Sequence, residues 1–296
     1  MTYHSNKIKT GVGDRIAQVI IYLVVGIFAL ITLLPFLYVV AGSFATEKEL
    51  TEKAFFIIPS QYSLNAYKYI METGEVFRGL KNSLIMTTLG TTVNMFFTTT
   101  FAYPLSKKHF KGRNLILNLV IVTMLFSGGM IPMYILMGTL KLKDSFLGLA
   151  LMGAISPFNM IIVKNFFQEI PKELDEAAQI DGCNDLKIFL KIVLPLSKPV
   201  ISSVSLFYAV GHWNNYFNAM IYLKPDKETV QIVLRRIIVL AQGIQTDLID
   251  FDSLGAPPDK AVKMAATVVA TVPIILVYPF VQKYFTQGVM VGAVKG

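Results

Sequence analysis

Charged residues are unevenly distributed along the chain, and long apolar stretches separate the charged segments. The two shortest uncharged stretches are 19 residues long, and about 20 residues of α-helix cross the roughly 30 Å hydrocarbon core of a bilayer. Because backbone groups in lipid must be hydrogen-bonded within their own segment, each stretch is predicted to be helical. The pattern predicts an all-α integral membrane protein with six transmembrane helices, in the stretches Ile16–Thr46, Asn82–Ser106, Asn114–Leu140, Ser145–Val163, Pro199–Leu223 and Met264–Gln282.

The composition agrees with a membrane location. Of 296 residues, 54% are hydrophobic and only 16% are charged, and the mean hydropathy is +0.56, whereas about a quarter of the residues in a soluble domain are charged. The first stretch is too long for a removable signal peptide and lacks a small-residue cleavage site, so we expect a retained first helix. We expect one transmembrane domain over residues 1–296.

Several classes of function are disfavoured by the side chains present. The net charge of +8 arises from basic residues near helix ends, the usual pattern at a membrane surface, and predicts no nucleic-acid partner. Cys183 is the single cysteine, and His4, His109 and His212 are scattered, so no disulfide and no metal site are predicted. No nucleophile and base share a face, so we predict no enzyme and no catalytic residues.

Charge also bears on orientation. An even number of crossings puts both termini on one side, and the raw number of Lys and Arg residues is nearly equal on the two sides. However, Lys107–Arg113 holds four basic and no acidic residues, while acidic residues concentrate in Glu47–Lys53 and Asp247–Asp259. The positive-inside rule then predicts cytoplasmic termini.

The segment between the fourth and fifth stretches, Gln168–Leu196, is predicted to be a pair of short helices and is called the charged hairpin below. Pro171 suits the first turn of a helix, where its missing N–H would be unpaired in any case. Gly182 suits the left-handed turn that ends this helix, and Asn184 suits the cap of the second. Pro195 is expected to mark the bend into the fifth crossing.

The charged hairpin contains a spaced motif, Glu176-Ala177-Ala178, then Gly182, then Ile192-x-Leu194-Pro195. This spacing resembles the EAA motif in the cytoplasmic loop of permease subunits of ATP-binding-cassette (ABC) importers. The resemblance covers nearly the whole chain and is closest to the second permease of maltose-importer-like carbohydrate systems. It implies the type I ABC importer permease fold with cytoplasmic coupling helices, in the plasma (inner) membrane of a bacterial cell.

The resemblance also implies roles for residues. The loop at about 169–195 would couple to a separate ATPase, with Glu176 making a charged contact, Ala177 and Ala178 packing in a groove, and Gly182 allowing the turn; Ile192, Leu194 and Pro195 complete the motif. The tail at about 285–296 would enter the ATPase dimer interface, and the loop Gly243–Lys260 would reach the binding protein. The implied partners are a second homologous permease in a heterodimer, a cytoplasmic ATPase dimer, an extracellular solute-binding protein, an oligosaccharide and membrane lipid.

Nucleotide chemistry is expected in the partner. The sequence contains no G-x-x-x-x-G-K-[ST] phosphate loop, which cradles ATP in many ATPases. We expect this chain to bind no cofactor, with ATP and Mg bound by the partner ATPase.

Polar and aromatic residues cluster in the fifth stretch and are candidates for the substrate path: Trp213, Asn214, Asn215, Tyr216 and Asn218. Asparagines facing lipid are costly, so we expect them to face the protein interior or a cavity. At helical spacing, Asn214 and Asn218 share one face, and Trp213 and Phe217 share the neighbouring one. Two other interpretations stay open, because Asn side chains also join helices and aromatic residues also mark the membrane interface.

Local patterns predict further elements. Ser127–Pro132 contains clustered Gly and Pro and predicts a broken helix. Lys141–Asp144 is a tight link between antiparallel neighbours. Leu64 begins a possible interfacial helix, and the segment 228–243 is an amphipathic helix candidate. Most hydroxyls of the second stretch are expected to bond their own backbone.

Two alternative functions remain, an ion-coupled secondary transporter and a non-transporting membrane scaffold. The six stretches contain no Asp or Glu, which disfavours ion coupling, and a scaffold leaves the motif unexplained. The sugar is also open. Uncharged path candidates fit a neutral oligosaccharide, whereas Arg235 and Arg236 fit an acidic one.

Overall fold

The computed structural model describes residues 12–241 and 260–293. Over these residues the regular structure is helical, and the only β contact is one isolated antiparallel bridge between Ala45 and Tyr62. The all-α prediction is confirmed. The helices are α1 (Val12–Ser43), α2 (Glu47–Glu52), α3 (Asn65–Thr73), α4 (Glu75–Ser106), α5 (Arg113–Leu125), α6 (Met130–Thr139), α7 (Phe146–Met152), α8 (Pro157–Glu169), α9 (Lys172–Ile180), α10 (Asp185–Ile188), α11 (Leu194–Leu196), α12 (Lys198–Trp213), α13 (Phe217–Tyr222), α14 (Val230–Ala241) and α15 (Lys260–Ala293).

The chain divides into two compact units, within Met1–Ile70 plus Leu240–Val268 and within Met71–Val239 plus Val269–Gly296. That the whole chain acts as one transmembrane domain stays a prediction. In the first unit, the end of α1 meets the start of α15 at Gly42, where an added Cβ would lie 2.1 Å from Met264 Sδ. A larger residue at position 42 would therefore displace the Met264 side chain.

The apolar stretches correspond to long single helices or to bent pairs of shorter helices. By length and composition alone, Gly13–Ser43 and Lys260–Val277 are able to cross a membrane. The third, fourth and fifth stretches form helix pairs bent by 116°, 70° and 81°, so five crossings result if each pair is one span. The second stretch lies in α4, which is 32 residues long, carries many Thr and Asn side chains, and is not among these five. Six crossings therefore stay a prediction.

The predicted local elements are present in the structure. The helix of the third stretch breaks between α5 and α6 at Gly129, which has φ 84°, as the Gly and Pro cluster indicated. The link at Lys141–Asp144 is tight, because an added Cβ on Gly148 would lie 2.0 Å from the carbonyl oxygen of Leu142. The helices expected near Leu64 and in 228–243 are α3 and α14.

The core of the second unit surrounds α4, which packs against α7, α8 and α12. One cluster of buried side chains, the inner cluster, includes Leu105, Val163, Ala178, Val193 and Val204. A second cluster includes Met86, Met137, Leu149, Ala219 and Ile232. Helix α4 contributes to both clusters, and its two ends therefore meet different parts of the unit.

Candidate coupling site and substrate path

The first helix of the charged hairpin is α9, and it ends in a left-handed glycine turn. Gly182 has φ 75°, its N–H donates to the Gln179 carbonyl at 3.0 Å, and the Cys183 N–H donates to the Ala178 carbonyl at 2.9 Å. These two bonds make a Schellman motif, which requires a residue comfortable at positive φ. The expectation for Gly182 as the turn residue is confirmed.

The second arm of the charged hairpin is helical from 185 to 196, through α10, a π-helical turn at Phe189–Val193 and α11. Asn184 caps it as expected, because its Oδ1 accepts from the Lys187 N–H at 2.9 Å. The expected position of the bend was wrong. Pro195 lies near the C-terminal end of this helical arm, just after the π-helical turn, and the 81° bend follows two residues later at Ser197, which has φ −93° and ψ 10°.

The two motif alanines point in different directions. Ala178 is only 6% exposed and belongs to the inner cluster, whereas Glu176 and Ala177 are exposed. Neighbouring residues on a helix point about 100° apart, so they do not share a face. The expectation that both alanines pack into a partner's groove is corrected, because Ala178 packs inside its own chain. The free edge of α9 carries Leu174 and Ile180, at 41% and 86% exposed, with Ala177 between them.

The remaining motif residues, on the second arm of the charged hairpin, differ in burial. Ile192 and Leu194 are partly buried against the inner cluster, and Pro195 is exposed. The hydrophobic contacts of Ile192 and Leu194 attach the second arm of the charged hairpin to the core. The motif therefore combines an exposed edge on α9 with anchoring residues on the arm that follows.

Both arms of the charged hairpin are attached to the same end of α4. On the first arm, Asp175 pairs with Lys107, and both side chains are about one-fifth exposed. On the second arm, the Phe189 ring lies 4.8 Å from the Tyr103 ring, centroid to centroid. Gln168, the first residue of the hairpin, donates through Nε2 to the Ser106 carbonyl at 3.2 Å. Both arms of the charged hairpin therefore contact α4 directly.

A polar network farther along α4 supports the break between α7 and α8. Asn94 is fully buried, and its Nδ2 donates to the Gly153 carbonyl at 2.6 Å. Its Oδ1 lies 2.5 Å from His212 Nε2 on α12. One turn along, Thr98 Oγ1 lies 2.7 Å from the Tyr208 hydroxyl, which accepts from the Ser156 N–H at 2.9 Å. Broken helices in a membrane need such partners for freed backbone groups.

Sequence reasoning missed this network. Asn94 and Thr98 are one helical turn apart, as are Tyr208 and His212, so each pair lies on a single helix face. This spacing of polar residues in the sequence is the signal that could have predicted the network. Local bonding is present for Thr92, Thr99 and Thr100, which donate to carbonyls three or four residues earlier. It is absent for Thr98, which pairs with Tyr208, and for Thr87 and Thr91, whose buried hydroxyls have no hydrogen-bond partner among the described residues, so the expectation is confirmed only in part.

The polar cluster of the fifth stretch lies at a second break. Helix α12 ends at Trp213, α13 begins at Phe217, and Asn214, Asn215 and Tyr216 connect them. The expectation that Asn214 and Asn218 share one helical face was wrong, because Asn214 has left the helix (φ −89°, ψ 2°). The same break separates the expected pair of Trp213 and Phe217.

Exposure differs among these path candidates. Trp213 is 8% exposed and Asn214 is exposed, while Asn215, Tyr216 and Asn218 are half-buried. The break therefore presents amide groups and one aromatic ring beside non-helical backbone. Such backbone is tolerated at membrane depth where it is buried in protein or lines a cavity.

Two expected contact segments fall at or beyond the limits of the described residues. In the loop Gly243–Lys260, all but Lys260 lie outside them. The tail at 285–296 is helical in α15 as far as Ala293, and 294–296 lie outside the described residues. The roles of both segments stay predictions.

Comparisons with known proteins agree with the motif. The family model described as "Binding-protein-dependent transport system inner membrane component" matches residues 8–291. Two proteins of Bacillus subtilis (strain 168) are each 49% identical, namely Protein LplC, over 100% of this chain and 98% of its own length, and the polygalacturonan/rhamnogalacturonan transport system permease protein YtcP, over 96% and 99%.

A solved structure is also similar. One chain from the crystal structure of a bacterial ABC transporter involved in the import of the acidic polysaccharide alginate matches with a TM-score of 0.83 and 31% identity, covering 96% of this chain and 100% of that chain. The expected importer permease fold is confirmed by this match. The family consists of membrane permease subunits and not of enzymes. On the family match over residues 8–291, this chain belongs to the inner membrane components of binding-protein-dependent transport systems.

Proposed function

We propose that this chain is one of two homologous permease subunits in an ATP-driven importer of oligosaccharides, and that the charged hairpin receives the movement of a separate ATPase dimer. The sugar class is supported by the names of YtcP and of the alginate importer, which both concern polysaccharides. The dependence on a binding protein is supported by the family description. A type I arrangement of six crossings with cytoplasmic termini completes the proposal.

The observation that carries the proposal is the shape of the charged hairpin. One edge of α9, with Leu174, Ala177 and Ile180, is exposed, while the side that carries Ala178 is buried in the inner cluster. Exposed apolar side chains beside the carboxylate of Glu176 form a small surface that suits another protein. The attachment of both arms to α4 gives a physical route from this surface to the spans.

The substrate path is proposed at the break between α12 and α13. Asn214, Asn215 and Asn218 offer amide donors and acceptors, and Tyr216 offers an aromatic ring. A sugar needs hydrogen-bonding groups and flat apolar faces, and these side chains supply both. ATP and Mg belong to the partner ATPase, and the residues of this chain supply docking and passage.

The test is to isolate the chain with its partners and to separate coupling from assembly. We expect co-purification with an ATPase and a second permease, and ATP-dependent sugar uptake in proteoliposomes. Gly182→Asp should insert and assemble but lose most uptake while ATP hydrolysis continues. Its strain is below the roughly 1–2 kcal/mol that positive φ costs most side chains, because Asp tolerates the left-handed region better than most residues, and space around the position is open.

A matched control is available in the same unit. Gly112 also has positive φ, 80°, and open space around it, but lies before α5 and outside the charged hairpin. Gly112→Asp therefore introduces similar backbone strain without touching the proposed contact, and should keep uptake coupled. Equal uptake by Gly182→Asp and the unmodified protein would contradict the proposed role of the hairpin.

A further inference from the structure

Two adjacent arginines on α14 have different partners. Arg236 is paired on both sides, with Nη1 2.9 Å from Glu228 Oε2 and Nη2 3.3 Å from Glu75 Oε2. Arg235 is exposed, and no ion pair between described residues involves it. Its Cζ instead lies 4.8 Å from the centre of the Tyr216 ring. Arg236 therefore attaches α14 to Glu75 and Glu228 through ion pairs, whereas the guanidinium of Arg235 contacts an aromatic ring.

The stacked arrangement leaves the donors of Arg235 available. A guanidinium placed over an aromatic ring is attracted through its face. Its five N–H donors lie in the guanidinium plane, and no ion pair with a described residue uses them. The stack also restricts the side chain, so less entropy is lost when a ligand binds. The edge matches a carboxylate, which accepts two parallel N–H bonds.

The contact with Tyr216 places the Arg235 guanidinium beside the break between α12 and α13. Tyr216 stands in the connection between α12 and α13, next to Asn215 and two residues after the exposed Asn214. The cation is therefore held over the break that carries the uncharged path candidates. At the far end of α13, by contrast, Lys227 is engaged with the Asp144 carboxylate at 3.1 Å. A negative ligand at the break would meet a guanidinium that is not already neutralised by a described residue.

We propose that Arg235, positioned by Tyr216, binds a carboxylate of an acidic oligosaccharide as it passes the break between α12 and α13. The inference rests on the proposed function, because it requires that this break line the substrate path. It assigns the substrate class that the uncharged side chains leave open. The amides at Asn214 and Asn215 then serve the hydroxyl groups of the same sugar.

The experiment uses the assembled complex in proteoliposomes, supplied with its binding protein and with short oligogalacturonates as the probe. Arg235→Gln should lower uptake of the acidic probe about tenfold, the loss of one charge-assisted bidentate contact. Tyr216→Leu should lower it in the same direction but less, because the charge stays while its support is lost. Lys48→Gln, which removes an 81% exposed charge on α2, should leave uptake unchanged.

A second readout separates passage from docking. The affinity of the binding protein for the complex should be the same with and without Arg235→Gln, and a parallel loss of this affinity would overturn the inference by assigning Arg235 to a protein contact. Unchanged uptake of the acidic probe in Arg235→Gln would overturn it as well. An unmodified complex that imports only uncharged arabino- or maltooligosaccharides also overturns the inference but keeps the proposed function. An unmodified complex that imports no oligosaccharide contradicts the proposed function itself.

Discussion

The ion pair between Lys107 and Asp175 gives the sharpest prediction about force transmission, because it joins the charged hairpin to α4. Both side chains are about one-fifth exposed, so water screens the pair only in part. Lys107 Nζ also lies 4.9 Å from the centre of the Tyr103 ring. Hydrogen bonds between charged groups contribute about 1.5–3 kcal/mol, and the lower half of this range fits a partly exposed pair.

Breaking the pair should loosen the hairpin without removing its docking edge. We expect Lys107→Met and Asp175→Asn to assemble with the ATPase and to hydrolyse ATP, with sugar imported per ATP reduced about threefold to tenfold. The reason is that α9 then loses its ion pair to α4, while the packing of Ala178 in the inner cluster and the contacts of the second arm remain. Lys108→Met is the control, since Lys108 is the next residue and is exposed.

A double-mutant cycle makes the test specific to the pair. If the two side chains act together, the double variant should be no worse than either single variant, with a coupling energy of about 1–2 kcal/mol. Additive losses, or a transport ratio unchanged in both single variants, would refute the reasoning. The assay is uptake and phosphate release measured on the same proteoliposomes.

Two further predictions concern stability. Asn94→Leu should lower the unfolding free energy of the purified complex by about 2–4 kcal/mol, because it leaves the Gly153 carbonyl and His212 without their buried partner; an unchanged thermal midpoint would contradict the network. Glu49 is held ionised, since the Lys53 ammonium and then the Ser60 N–H lower its pKa to about 2. A depressed pKa contributes stability above the ordinary value of 4.5 that is lost as the pH falls towards 2. Protection of the Ser60 amide from hydrogen exchange should therefore be constant above pH 4.5 and fall below it, and Glu49→Gln should abolish this dependence.

Much of the fold was predictable because lipid imposes a simple rule on sequence. An uncharged stretch of about 20 residues must satisfy its own backbone, so the helical segments followed from the distribution of charge. Local capping chemistry was equally readable, since Gly182 and Asn184 act within four residues of their partners. These features depend on neighbours in the sequence, and the sequence shows them directly.

The tertiary contacts were not predictable in the same way. Asn94 and His212 are 118 residues apart, and Lys107 and Asp175 are 68 apart, so no local pattern links either pair. The break after Trp213 was missed because neither Gly nor Pro lies between Trp213 and Phe217. Ala178 was misplaced because the motif shows which residues recur, and only the packing of α9 shows which side is buried.

The central claim is that the exposed edge of α9 meets an ATPase on the cytoplasmic side, and cysteine crosslinking tests it most directly. Cys183 is the only cysteine in the sequence, so Cys183→Ser gives a cysteine-free background. In that background, Ala177→Cys should crosslink to cysteines placed in the ATPase during ATP turnover, and Ala178→Cys, at a position 6% exposed, should not. Labelling of Ala177→Cys by an impermeant reagent from the outer face, with no crosslink in any nucleotide state, would contradict the claim.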